Sequence, residues 1–164
     1  VPRSAVIGEV GCGMSIALNA LNLSRAFIST LAVGIMQRAL DEAVAYAKQR
    51  KQFGRRLIDF EMVQAMLADM AIKTEAARVL VNNCMRQMDA GEMVRKDGAI
   101  VKTFVTDAMQ EVVSNAVQVL GGYGYSEEYP VEKLMRDAKI FQIFEGSNQI
   151  QRMTIAKELD REYR

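Results

Sequence analysis

Apolar residues recur at spacings of three and four over most of this chain. Val33, Met36, Leu40, Ala43 and Ala47 fall on one helical face. A longer stripe follows Gly54: Val63, Leu67, Met70, Thr74, Ala77, Val81, Cys84 and Met88. A third runs through Val101, Val105, Ala108, Val112, Asn115 and Val119. Breaks fall at Phe53-Gly54, at Ala90-Gly91 and at Gly121-Gly122-Tyr123-Gly124, and no proline interrupts the chain between Pro2 and Pro130. The spacing predicts three helices of about 25–35 residues, and their short connections make neighbours antiparallel. After Pro130 it predicts a shorter helix to about Ala138 and a last one from Asn148, where Asn148 and Gln151 resemble a capping pair. The fold class expected is all-α: an antiparallel up-and-down bundle of the four-helix type, with short extra helices at the C-terminus. Residues 1–13, VPRSAVIGEVGCG, differ in texture, with Pro2, three glycines and β-like pieces such as AVIGEV. They read as the tail of a preceding β-domain, which leaves 14–164 as the helical domain. The first residue is Val1 and not Met, so the chain reads as a piece of a longer protein.

Composition narrows the chemistry. The 164 residues carry 21 Lys and Arg against 20 Asp and Glu, a net charge of +1 that argues against a nucleic-acid surface. Cys12 and Cys84 provide no disulfide framework and suggest a reducing compartment. No uninterrupted apolar run approaches the roughly 18 residues of a membrane span. The chain has no histidine, which excludes Ser-His-Asp and Cys-His catalysis and histidine-based metal sites. No metal is expected. Acid–base chemistry here would fall to a carboxylate, Lys, Tyr or Cys.

Three stretches could carry chemistry, and each has two readings. KQRKQFGRR gathers Lys48, Arg50, Lys51, Arg55 and Arg56 with no acid between them. These cations either complement a helix C-terminus or bind a small phosphorylated ligand. QVLGGYGYSEEYP follows a helix. Its glycines either stop that helix or admit a close neighbour, and the stretch matches neither a P-loop nor a dinucleotide fingerprint. FQIFEGSNQIQR places Glu145 between Phe141, Phe144 and a Gly-Ser-Asn turn. Glu145 is either a structural carboxylate near a helix N-terminus or a general base. Apolar surroundings disfavour an ionised carboxylate, which is how a glutamate becomes a usable base near neutral pH.

MQRALDEAVAYAKQRKQFGRRLIDFEMVQAMLADMA and QVLGGYGYSEEYPVEKLMRDAKIFQIFEGSNQIQR closely resemble the C-terminal half of the acyl-CoA dehydrogenases. VPRSAVIGEVGCGM resembles the exit from that family's middle β-domain. The resemblance implies FAD-dependent oxidation of an acyl-CoA to the trans-2-enoyl-CoA, with a carboxylate taking the α-proton and hydride passing to the flavin. Glu145 matches the family's catalytic base. Members that carry the base on the first long helix place it before an arginine, and here that position is Ser24, ahead of Arg25. Arg50, Gln52 and Phe53 match a segment that contacts FAD from a neighbouring subunit. Gln118, Val119, Leu120, Gly121 and Gly122 match a second flavin contact across an interface. Ser147, Asn148 and Gln149 match residues on the flavin's adenosine side, while Asn22, Arg25 and Gly146 match substrate contacts. The family usually has Asp at position 22 and Gln at position 61, where this chain has Asn22 and Glu61. The resemblance further implies a homotetramer or dimer, with electron-transfer flavoprotein as acceptor. The compartment it implies is a bacterial cytoplasm or a mitochondrial matrix. The alternatives are an oxygen-using acyl-CoA oxidase and a non-catalytic helical oligomerisation module. For the chain by itself, little or no stable flavin binding is expected.

Overall fold

A computed structural model describes residues 2–92 and 94–164. Three long helices form the body: α1 (Gly13–Gln49), α2 (Glu61–Asp89) and α3 (Arg95–Leu120). Two shorter ones, α4 (Val131–Phe141) and α5 (Asn148–Glu162), close over α3. The architecture is the expected all-α bundle. α1 and α3 run in the same sense, because Asn22 and Arg25 lie beside Gly98 at one end while Tyr46 meets Tyr123 at the other.

The predicted stripes are the buried ones. Leu67, Met70, Thr74, Ala77, Val81 and Cys84 are the buried residues of α2. On α1, Val33, Met36, Ala43 and Ala47 are buried, and Leu40 packs against the same core. α3 touches all four other helices and buries residues on most of its circumference, including Val101, Val105, Met109, Val112, Val113 and Ala116. A helix enclosed in this way needs small side chains where a neighbour crosses closely, and the α1–α3 crossing shows why. A Cβ on Gly98 would stand 3.1 Å from the Asn22 carbonyl oxygen.

In this chain residues 2–12 carry a single 3-10 turn, Arg3–Ala5, and every one of them is exposed. Three local expectations change. Phe53-Gly54 is the tip of a short antiparallel hairpin, β1 (Lys51–Gln52) with β2 (Arg55–Arg56), and not a plain helix stop; α1 already ends at Gln49. Both tip residues have positive φ, 51° and 76°, the geometry of a type I′ turn. Asn148 does not cap α5. Ser147 holds the cap position without a side-chain bond, and Asn148 turns inward to α3. Finally, α1 is long and apolar enough to cross a membrane by composition, with mean hydropathy 1.4 over 18 residues. A search for unbroken apolar runs misses it, because Ala, Ser, Thr, Asn and Gly dilute its apolar residues. Its later half packs Val33, Met36, Ala43 and Ala47 into the core, while Leu18, Leu23, Phe27 and Leu31 stay exposed.

Truncation of the central helix should be costly where burial is complete. Met109→Ala is expected to destabilise the fold by about 2–5 kcal/mol, and Met62→Ala, at an exposed position, by less than about 0.5 kcal/mol. Urea unfolding followed by circular dichroism reads both.

Candidate active site

The loop between α4 and α5 makes an abrupt turn. Glu145 has φ 57° and Gly146 φ 84°, so two successive residues adopt left-handed backbone. For glutamate that conformation costs on the order of 1–3 kcal/mol and persists where surrounding structure enforces it. Three side chains from three helices do so. Gln151 of α5 donates from Nε2 to the carbonyls of Glu145 (3.0 Å) and Gly146 (3.1 Å). Lys102 of α3 donates from Nζ to the Gly146 carbonyl at 3.0 Å and to Asn148 Oδ1 at 2.7 Å. Arg25 of α1 approaches the Glu145 carbonyl with Nε at 3.4 Å. Gly146 is needed for this arrangement, since a Cβ there would stand 2.4 Å from Gln151 Nε2.

The Glu145 side chain points toward α1, where Ser24 Oγ donates to Oε2 at 2.5 Å. Phe141 and Phe144 do flank the turn, but they pack edge-to-face against each other with ring centroids 5.0 Å apart. The two residues expected to contact substrate, Asn22 and Arg25, are joined by a 2.8 Å bond from Arg25 Nη1 to Asn22 Oδ1. They line a cavity of about 310 Å³ with Ser15, Asn19, Arg95 and Ile150. Burial lowers the pKa of Arg25, and nearby Arg95 lowers it further. Ser147 is half-buried and Gln149 exposed, whereas Asn148 is 3% exposed. Both ends of the Asn148 amide are spent on α3: Oδ1 on Lys102, and Nδ2 on Thr106 (2.8 Å) and Asp107 (2.7 Å). The expected adenosine contact at Asn148 therefore has no free side-chain group to offer.

The remaining expected residues gather at the opposite end of α3. A cavity of about 630 Å³ brings Arg50 and Gln52 together with Val119, Leu120, Gly121, Gly122 and Tyr123. Val119 and Leu120 turn their side chains into the core, so they present backbone to the cavity. Gly121 has φ 61° and ends α3, while Gly124 allows close packing on Val117. Gln118 is exposed outside that lining. Arg50 lies over the Tyr123 ring at 5.6 Å, and Tyr123 packs with Tyr46 and Tyr129. Arg55 and Arg56 are engaged locally, by Phe60 and Asp59 respectively. Phe53 stands at the hairpin tip, 92% exposed. From residue 102 to residue 120, α3 rises about 27 Å, so one copy of the chain holds these two groups far apart.

This fold has relatives. Residues 11–159 match the family model described as acyl-CoA dehydrogenase, C-terminal domain. The chain belongs to the acyl-CoA dehydrogenase family. A probable acyl-CoA dehydrogenase of Mycobacterium tuberculosis, FadE25, is 48% identical over 160 residues, 97% of this chain and 41% of that protein. The caffeyl-CoA reductase–Etf complex subunit CarC of Acetobacterium woodii is 43% identical over 156 residues, 95% of this chain and 41% of that protein. The solved butyryl-CoA dehydrogenase of Megasphaera elsdenii superposes with a TM-score of 0.95 at 45% identity, covering 97% of this chain and 42% of that one. The chain thus spans about two fifths of the length of the acyl-CoA dehydrogenases it matches.

Sequence reasoning passed over Ser24 as a partner of Glu145, took Gln151 only as half of a capping pair, and missed Lys102 altogether. Lys102 left a trace: it shares a helical face with Val105, Thr106 and Met109, an odd place for a cation. Burial lowers its pKa to about 8, against opposing pulls from Asp107 and Glu145. The unfolded chain keeps that proton up to about 10.5, so between these values it binds more protons than the folded one, and the Lys102 contribution to stability rises with pH. In Lys102→Met that rise should vanish, which thermal melts of both proteins from pH 7.5 to 10 would reveal.

Proposed function

We propose that this chain is the C-terminal part of an FAD-dependent acyl-CoA dehydrogenase that converts an acyl-CoA thioester to trans-2-enoyl-CoA, with Glu145 taking the α-proton. The observation that carries this reading is the 2.5 Å bond from Ser24 Oγ to Glu145 Oε2. The two positions at which the family places its base, distant in sequence, meet in space, and here one holds a carboxylate and the other a hydroxyl that orients it. Serine is too weak a base to compete for the proton. With Oε2 engaged, Oε1 is left to meet the substrate. The Glu145 N–H makes no backbone hydrogen bond among the described residues and can donate to the thioester carbonyl, where charge develops as the proton leaves.

Bound FAD supplies the acceptor for the β-hydride. The residues at the far end of α3 fit such a group. Arg50 has no carboxylate within ion-pair distance among the described residues and offers bidentate donors to a pyrophosphate. Gly121 and Gly122 leave room at the cavity, since a Cβ on either would meet nothing within 4 Å. Because about 27 Å of helix separates this group from Glu145, the flavin served by Arg50, Gln52 and Gly121–Gly122 is that of another copy. The active enzyme is accordingly a homo-oligomer, a tetramer or dimer. An exposed Phe53 on a left-handed backbone gains its contact from that neighbour. Electron-transfer flavoprotein is the acceptor that fits, in keeping with CarC, a subunit of an Etf complex. A bacterial cytoplasm suits the relatives named above.

In the full-length protein, Glu145→Gln should retain FAD and lose substrate-dependent flavin bleaching; bleaching at the original rate overturns the assignment. Ser24→Ala should keep its flavin and slow bleaching about tenfold, the order expected for one hydrogen bond to a charged group. Stopped-flow absorbance measures both.

A further inference from the structure

We infer that Lys102 is the positioning residue for Glu145: its ammonium, carried by α3, clamps the 145–148 turn in the left-handed conformation that aims the carboxylate. The inference rests on the reading of Glu145 as base. Lys102 is among the largest fully buried side chains, at 0% exposure. Burying a cation is costly unless it is paired and hydrogen-bonded, so an apolar residue at this point of the core would be the economical choice for stability alone. One of its bonds ends on the Gly146 carbonyl inside the turn and the other on Asn148 Oδ1 at the first residue of α5, so together they bracket Ser147 and hold the turn to α3. The charged groups that face it come from three elements: Arg25 from α1, Glu145 from the turn, and Asp107 from α3. Asp107 in turn holds Asn148 and, from α5, Arg152 at 2.7 Å. Gln151 shares the Gly146 carbonyl with Lys102 and adds the Glu145 carbonyl, but it carries no charge and does not reach Asn148.

The test uses the full-length FAD-loaded enzyme and Lys102→Met, which keeps length and removes charge. Flavin content should match the parent, KM should stay within threefold, and the limiting rate of flavin reduction should fall at least tenfold. A crystal structure of the variant should show Glu145 out of the positive-φ region. Reduction at the parental rate overturns the inference, and so does a slowed rate with an unmoved 145–148 backbone. The Glu145→Gln control separates the two readings. If it still bleaches, the base assignment falls, while the variant's backbone still reports on the clamp. Should Lys102→Met not fold, Asn148→Ala carries the test, because it removes one of the two acceptors of the ammonium. Flavin content should match the parent, flavin reduction should slow, and a crystal structure should show Glu145 out of the positive-φ region. A parental rate with an unmoved 145–148 backbone overturns the inference.

Discussion

A helix with protein on most sides leaves the polar groups on its buried sides no water to satisfy them. α3 is such a helix, open to solvent along a strip through Phe104, Glu111, Ser114 and Gln118, and the rest of the molecule follows from how its buried polar residues are answered. Thr103 and Thr106 return their hydroxyls to their own helix, at 2.8 Å from the carbonyls of Ala99 and Lys102. Lys102 and Asp107 cannot do that, and they reach instead for the loop that precedes α5. The bundle core thereby fixes a surface turn. The hydrophobic side of α3 sets the helix in place, and its short polar strip converts that rigidity into a defined backbone at Glu145.

This arrangement explains why the turn can tolerate left-handed glutamate. Strain in a loop persists only if relaxation would break something stronger. Here relaxation would strip partners from two carbonyls, a buried ammonium and the Asn148 amide together. Desolvated polar groups left unpaired are expensive, so the bonds act as a unit. α1 adds the last constraint through Ser24 and Arg25, which meet the same residue from outside the bundle core.

The helices were legible because each stripe of three-and-four spacing has a neighbour to bury it, and burial follows the stripe residue by residue in α2. Glu145 was legible for a different reason: a carboxylate between phenylalanines and a Gly-Ser-Asn turn is a local conflict visible in one dimension. The partners were not. Ser24 and Glu145 are 121 positions apart, and nothing in either segment announces the other. Asn148 misled because its spacing to Gln151 imitates a cap, while the stronger pull is a buried lysine on another helix.

The tyrosine cluster gives the molecule an unplanned optical property. The sequence contains five tyrosines and no tryptophan. Three of the five, Tyr46, Tyr123 and Tyr129, lie with ring centroids at most 6.4 Å apart beside the larger cavity, while Tyr125 and Tyr163 stand out in solvent. Packed, asymmetrically held rings dominate near-ultraviolet dichroism, and free ones contribute little. The aromatic signal of this chain is therefore a local one: it reports on the far end of α3, and on whatever rests against it, more than on the bundle as a whole.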